Sequence, residues 1–257
     1  MSEAGALPTR RDEAWRYAAV EALQGVALDD WRAIEVAAGD SFRDCLVIAD
    51  RADGREGTTL RRLRVTIGEG ARCELFAVIA AELYSRIEVE VTLRKGAHFE
   101  FGGVTVGGRD TVREFVTTVH HAEPEATSNQ VVRSVHWGRG TGNFLGRIDV
   151  VRAAQKTDAG QSFKGLLLER GAAINAVPQL EIFADDVKCA HGASVGQLDE
   201  AARFYLAARG IAPAEAEALL VRAFLADAFV ACEDETGDET AGEELLAEAL
   251  RVLEARA

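Results

Sequence analysis

A chain of 257 residues, 48% hydrophobic and 28% charged, is long enough to bury a substantial apolar interior and ordinary in composition for a globular protein. Its formal charge of −13 and pI near 4.9 argue against a nucleic-acid binder, which needs a basic footprint, and against docking on an anionic membrane surface. Residues 1–16 are polar and broken by Pro8, the apolar stretch 218–232 is interrupted by Arg222 and Asp227, and Cys45, Cys73, Cys189 and Cys232 form no CxxC pair; no export signal, no membrane span and four reduced thiols in the cytoplasm are expected.

Residues 8–25 read as a helix: Trp15, Ala18, Ala19, Ala22 and Leu23 recur at helical spacing opposite Arg11, Asp12, Glu13, Arg16 and Glu21, and Gly25 suits its stop. From residue 31 the period changes to two. Segments 64–67, 74–76, 86–93 (RIEVEVTL), 98–106 (HFEFGGVTV), 112–119, 130–137 and 144–151 are strand-length, rich in β-branched and aromatic residues, and bounded by turn residues. No helical stretch of ten or more residues intervenes, which argues against a doubly wound α/β fold. The dipeptide Gly-Ala opens strand-like segments at Gly70, Gly96 and Gly171 and returns at Gly192. A small inward Ala behind a corner Gly of positive φ fits one coil of a β-solenoid, with a sandwich as the alternative on pattern alone. Residues 102–103 and 107–108, two glycine pairs, read as turns rather than phosphate cradles because no helix follows them.

Past residue 198 the pattern is helical. Asp199 caps a helix ending at Gly210, and Pro213 opens another whose apolar face is Leu219, Leu220, Ala223, Phe224 and Ala226. An acidic linker, 233–239, precedes a last helix in which Thr240 and Glu243 have capping-box spacing. The organisation expected is an N-terminal helical segment (1–30), a mainly β core (31–197) and a C-terminal helical subdomain (198–257).

Chemistry-bearing patterns are few, with no G-x-S-x-G elbow and no H-E-x-x-H. His120 and His121 read as surface imidazoles, and His98 and His136 as partly buried, hydrogen-bonded side chains. Asp185 and Asp186 read as turn residues rather than a paired acid and base, because neighbours on a strand diverge. Cys189 and His191 differ: in one extended segment, period two puts thiol and imidazole on the same face, a donor pair suited to iron–sulfur or zinc chemistry. Two ligands do not close a four-coordinate site, and a buried Cys beside a structural His is the plainer reading of the residues alone.

Residues 155–211 (QKTDAGQSFKGLLLERGAAINAVPQLEIFADDVKCAHGASVGQLDEAARFYLAARGI) resemble the C-terminal signature of the SufB/SufD family, and 8–17 (PTRRDEAWRY) the opening helix of its SufD members. The form ADDVKCAHGAS is closer to SufD than to SufB. The resemblance implies a right-handed parallel β-helix with N- and C-terminal helical parts, acting as a non-catalytic scaffold for iron–sulfur cluster assembly. It implies pairing with a SufB-like paralogue through the β-helix, docking of a SufC-like ABC ATPase on the C-terminal helices, and a homodimer as a possible state of the isolated chain. It also implies His191 as a ligand of the transient cluster at the SufB–SufD interface, Cys189 as a weaker candidate, and no stably bound cofactor. Candidate ATPase-docking residues are Phe204, Tyr205, Arg209, Leu220 and Phe224. Competing classes are a β-solenoid carbohydrate-active enzyme, disfavoured by 7% aromatics and three scattered tryptophans, and a SufB-like self-pairing scaffold.

Overall fold

The computed structural model describes residues 7–49, 57–232 and 240–255. Among them, twelve strands alternate between two six-stranded sheets, each parallel throughout. The odd sheet holds β1 (Trp31–Val36), β3 (Thr58–Ile67), β5 (Tyr84–Leu93), β7 (Val112–His121), β9 (Thr141–Val150) and β11 (Ala173–Ile182). The even sheet holds β2 (Ser41–Ile48), β4 (Arg72–Ile79), β6 (His98–Gly107), β8 (Thr127–His136), β10 (Asp158–Leu167) and β12 (Lys188–Gly196). A chain that changes sheet after every strand and returns one place further along is a β-solenoid, as the strand series and the family resemblance implied.

Period-two patterning places one side-chain set in the lumen between the sheets. Phe99 and Phe101 of β6, Phe115 of β7, Phe144 of β9 and Phe163 of β10 are buried there with Ile87, Val89, Val91 and Leu93. Phe101 meets Phe115 edge to face at 5.4 Å, and Phe144 stacks on Phe163 at the same separation. Each buried ring stabilises the fold by roughly 1.5–3 kcal/mol relative to exposure.

Successive even strands are offset by 26–31 residues, through the pairs Arg72↔His98, His98↔Thr127, Thr127↔Asp158 and Asp158↔Lys188. Gly70 (φ 65°) and Gly96 (φ 63°) occupy equivalent left-handed corners, each followed by a buried alanine, Ala71 or Ala97. At the next two corners Glu125 (φ 65°) and Lys156 (φ 61°) adopt the same conformation, ahead of buried Ala126 and Thr157. The other two Gly-Ala pairs do not belong to this series. Gly171 turns the corner before β11 in the opposite sheet, and Gly192 lies inside β12.

The single helix expected over residues 8–25 is replaced by two 3-10 turns, Glu13–Trp15 and Val20–Leu23. The segment lies along the outer face of the odd sheet, whose side chains take its carbonyl groups away from helical bonding. Ala14 O accepts from Arg86 Nη1 at 2.7 Å, Tyr17 O from Asn143 Nδ2 at 3.1 Å, and Ala22 O from Thr58 Oγ1 at 2.9 Å. Beneath this strap Arg86 is fully buried. Trp15 covers it with its ring centroid 3.9 Å from the guanidinium, while Glu114 and Glu88 pair with it at 2.8 and 3.0 Å. Tyr84 donates its hydroxyl to Glu114 at 2.8 Å, and burial pushes its phenol pKa upward. Removing one member of such a buried pair costs about 3–5 kcal/mol.

The outer face of the even sheet is covered by the C-terminal elements. Asp199 caps α1 (Glu200–Ala207), accepting from the amides of Ala201 and Ala202, and Gly210 (φ 84°) follows it. Pro213 opens α2 (Pro213–Ala226), a 3-10 turn at Asp227–Cys232 follows, and α3 (Thr240–Glu254) comes last. The acidic linker 233–239 lies outside the described residues. Val221, Leu225, Phe229, Leu245, Leu246 and Ala249 pack on Phe76, Val78, Val104, Val106 and Val135. The buried face of α2 is therefore Ala216, Val221 and Leu225; of the expected face, Phe224 and Ala226 pack partly against the cluster, Leu220 is half-buried, and Leu219 and Ala223 are exposed. Nine of the fourteen positions of that helix are Ala, Leu or Val, so its apolar stripe carries little directional information.

Gly102 and Gly103 are mid-strand in β6 rather than in a turn. A Cβ on Gly102 would lie 2.1 Å from Ala228 O, so the missing side chain is what lets the 3-10 turn approach the sheet. Arg133 of β8 secures the same turn, its Nε donating to Asp227 at 2.9 Å.

Candidate functional site

Strand β12 is the last of the even sheet and β11 the last of the odd sheet among the described residues, so the lumen opens at that end. Parallel register aligns Cys189 of β12 with Ala159 and, one strand further in, Ser128. His191 aligns in the same way with Gln161 and Gln130. The lumen-facing set therefore ends in a thiol and an imidazole two residues apart, as the spacing predicted.

Cys189 is half-buried against Ala159, Ile148, Leu180 and Ala184, and its pKa is raised, by burial first and then by the charge of Asp158. His191 is exposed at the mouth. Behind it, Gln161 is buried, yet neither amide heteroatom has a protein hydrogen-bond partner. Its head group spans the lumen to Gly146, where a Cβ would come within 2.2 Å of Gln161 Nε2. Gln130, deeper still, accepts from Thr117 Oγ1 at 2.6 Å. This column of Gln130, Gln161 and His191 was not anticipated. Its signal in the sequence is a spacing of about one coil between successive members, invisible until the coil length is known.

Among the described residues no group of three or more His, Cys, Asp or Glu side chains is placed to hold a metal ion. The arrangement offers one soft sulfur and one nitrogen donor at an open end. Both sheets present a free strand edge there, with Phe183 (56% exposed) and Val195 (44%) as apolar neighbours. Unpaired edge N–H and C=O groups invite another strand. Asp185 and Asp186 lie in the loop before β12, where Asp186 N donates to Gln155 Oε1 at 2.9 Å and Asp186 O accepts from Lys156 N.

The remaining histidines divide by strand face. His98 bonds Thr127 Oγ1 at 2.7 Å and is half-buried, and His136 is buried beside Thr105 and Ser134, as expected. His120 is an outer residue contacting Asp149 at 2.9 Å. His121, also expected at the surface, points instead into the lumen and bonds Ser128 Oγ at 3.0 Å, because its neighbour took the outward position.

On the C-terminal helices Phe204 is 77% exposed, and Tyr205, also exposed, carries the Arg209 guanidinium over its ring at 3.4 Å. Leu220 is half-buried, and Phe224 packs partly into the cluster under the helices. Leu219, which sequence reasoning assigned to the inner face, is exposed next to them. No helix among the described residues is long and apolar enough to cross a membrane.

Residues 34–224 match the family model described as SUF system FeS cluster assembly, SufBD core domain. The chain is 39% identical over 119 residues to the iron-sulfur cluster assembly protein SufD of Escherichia coli, covering 46% of this chain and 28% of that protein. It is 31% identical over 178 residues to an iron-sulfur cluster assembly SufBD family protein of Synechocystis, covering 69% and 39%. With SufD of Bacillus subtilis it shares 32% identity over 131 residues, 51% of this chain and 30% of the relative. The aligned parts thus span well under half the length of these curated relatives.

Proposed function

The chain belongs to the SufBD core-domain family of the SUF iron–sulfur system, and on that premise we propose that it is a SufD-like, non-catalytic scaffold subunit of a cytoplasmic cluster-assembly complex. The observation that carries this reading is the pairing of Cys189 and His191 on the lumen-facing side of β12, at an unpaired strand edge. The nascent cluster is cargo. His191 supplies an imidazole nitrogen to it, Cys189 is a secondary sulfur donor, and a SufB-like paralogue adjoining the open end supplies the ligands this chain lacks. A four-coordinate iron needs more than one chain's two donors, and that deficit favours a shared site.

The free edges and the exposed Phe183 and Val195 support association of the paralogue at this end. The 198–257 part docks a SufC-like ATPase, for which exposed Phe204, Tyr205, Arg209 and Leu219 are the accessible anchors, with Leu220 and Phe224 at the margin of the covered face. Nucleotide-driven movement of the ATPase passes through the helices to the even sheet they cover.

The test reconstitutes the chain with a SufB-like paralogue and a SufC-like ATPase and supplies iron and sulfide. His191→Ala should lose most cluster absorbance while its melting temperature and co-elution with both partners stay as in the parent chain. Full cluster yield from that variant would remove His191 from the site; loss of co-elution would make it an interface residue instead.

A further inference from the structure

Far from the open end, two of the four cysteines meet across the sheet and its C-terminal cover. Cys45 lies on β2, and its register with Phe76 puts it on the outer face of the even sheet, where Phe76 packs in the same apolar cluster as Cys232. Cys232 closes the 3-10 turn that follows α2 and is buried, while Cys45 is exposed. Arg43, two residues before Cys45 on the same face, donates from Nη1 to the Cys232 carbonyl oxygen at 3.1 Å and so fixes the turn against the strand. The side chains of the two cysteines are hydrogen-bonded to each other. We propose that Cys45 and Cys232 form a redox dithiol whose disulfide staples the C-terminal helical cover to the second strand of the solenoid.

The pair is asymmetric in the way such chemistry uses. Hydrogen bonding from the Cys232 thiol, aided by the charge of Arg43 and opposed by burial and by Asp44 and Glu244, brings the Cys45 pKa down to about 7. The same hydrogen bond, burial and Cys45 itself raise that of Cys232, with Arg43 pulling the other way and Glu74 adding to the rise. The accessible sulfur is therefore the nucleophile and the covered one the resolving thiol. With hydrogen peroxide as oxidant, the Cys45 thiolate attacks one peroxide oxygen and the O–O bond breaks, giving a sulfenic acid and hydroxide. The Cys232 sulfur then attacks the sulfenic sulfur, losing its proton as the S–O bond breaks and water leaves. Two thiols and one peroxide become one disulfide and two waters. A dithiol reductant reverses the bond by exchange. Cys73 is buried in the lumen core, and Cys189 sits at the far end of the solenoid, so neither competes for this bond.

The site stands independently of the cluster-assembly reading. The pre-reduced chain is treated with stoichiometric hydrogen peroxide and followed by thiol titration, intact mass and a non-reducing peptide map. Titratable thiols should fall from four to two, the monomer mass should drop by two hydrogens, and one cross-linked peptide pair should contain Cys45 and Cys232. In the reduced chain at pH 7, Cys45 should alkylate about tenfold or more faster than Cys189. Cys189→Ser should leave the bond intact, and Cys45→Ser or Cys232→Ser should abolish it; Cys45→Ser, at an exposed position, remains informative if serine in place of buried Cys232 perturbs folding. Over-oxidation of Cys45 with Cys232 still titratable, a bond to Cys73 or Cys189, or an intermolecular Cys45 dimer would each overturn the proposal.

Discussion

His121 and His136 sit on lumen-facing positions of consecutive strands in opposite sheets, and burial there lowers their pKa to about 4 and about 3, against 6.5 for a free imidazole. Arg113 adds to the shift of His136, and His120 to that of His121. The unfolded chain takes up these protons as the pH falls through 6.5, whereas the folded chain resists until about 4. The stability contributed by keeping both rings neutral is thus fully present above pH 6.5 and is lost progressively below it, by about 1.4 kcal/mol per pH unit for each ring. Urea melts between pH 7 and pH 5 should show this slope, and His121→Gln with His136→Gln should flatten it. A profile already flat in the parent chain would contradict the burial of both rings. These residues also mark what a sequence can tell about single side chains. The pairing of Cys189 with His191 was readable because period two is a local rule. The inward turn of His121 was not, since the phase of that strand depends on which residues its neighbours place in the lumen, and Gln161 becomes notable only once Gly146 and His191 are known to surround it.

At the scale of an element, the contrast lies between the strands and the two ends. Alternation from 86 to 93 marked β5, whereas 112 to 119 marked β7 only by its length and its β-branched and aromatic residues. The corners were half legible: Gly70 and Gly96 announce positive φ, whereas Glu125 and Lys156 adopt it without any glycine and hid the later coils. The N-terminal segment has helical spacing in Trp15, Ala18, Ala19 and Ala22, but its carbonyl groups are claimed by Arg86, Asn143 and Thr58 from distant strands. Tertiary partners overrode local propensity. The same long-range control operates at Gly102, whose bare Cα lets the 3-10 turn lie on β6. Gly102→Ala should destabilise the chain by about 1–3 kcal/mol. Hydrogen exchange should accelerate first in the amides of Asp227–Cys232 and α3, with the strands unchanged. Uniform acceleration across the strands would show that the cover and the solenoid unfold as one unit.

Taken whole, the molecule is a stack of coils in which each strand's hydrogen bonds run only to the coil before and the coil after. Stability in such a stack is a sum of neighbour terms, so its terminal coils have half the support of its inner ones. Amide exchange should therefore be slowest in β5 to β8, where most residues are buried, and fastest in β12, where all but Cys189 are exposed. Equal protection in β12 and β6 in a chain shown to be monomeric would contradict this gradient. The global architecture was legible because repetition multiplies a weak local signal. The placement of the helical cover was not, because α2 is apolar on most sides and any of several faces would have served.

The N-terminal strap and the C-terminal helices close off opposite flanks of the rod, which leaves its two tips. At one tip the leading strands are short, and Arg32 and Asp44 hold a charged clasp across them at 3.1 Å. At the other, β12 runs from Lys188 to Gly196 with no further charge. Such unequal tips decide geometry. Two rods that meet by their bare tips make a finite pair with nothing left to extend, whereas a bare tip laid on a guarded one would begin an endless fibre. The arginine–aspartate clasp, remote from every candidate ligand, is a charge pair that a strand added at that tip would have to desolvate, which disfavours endless stacking.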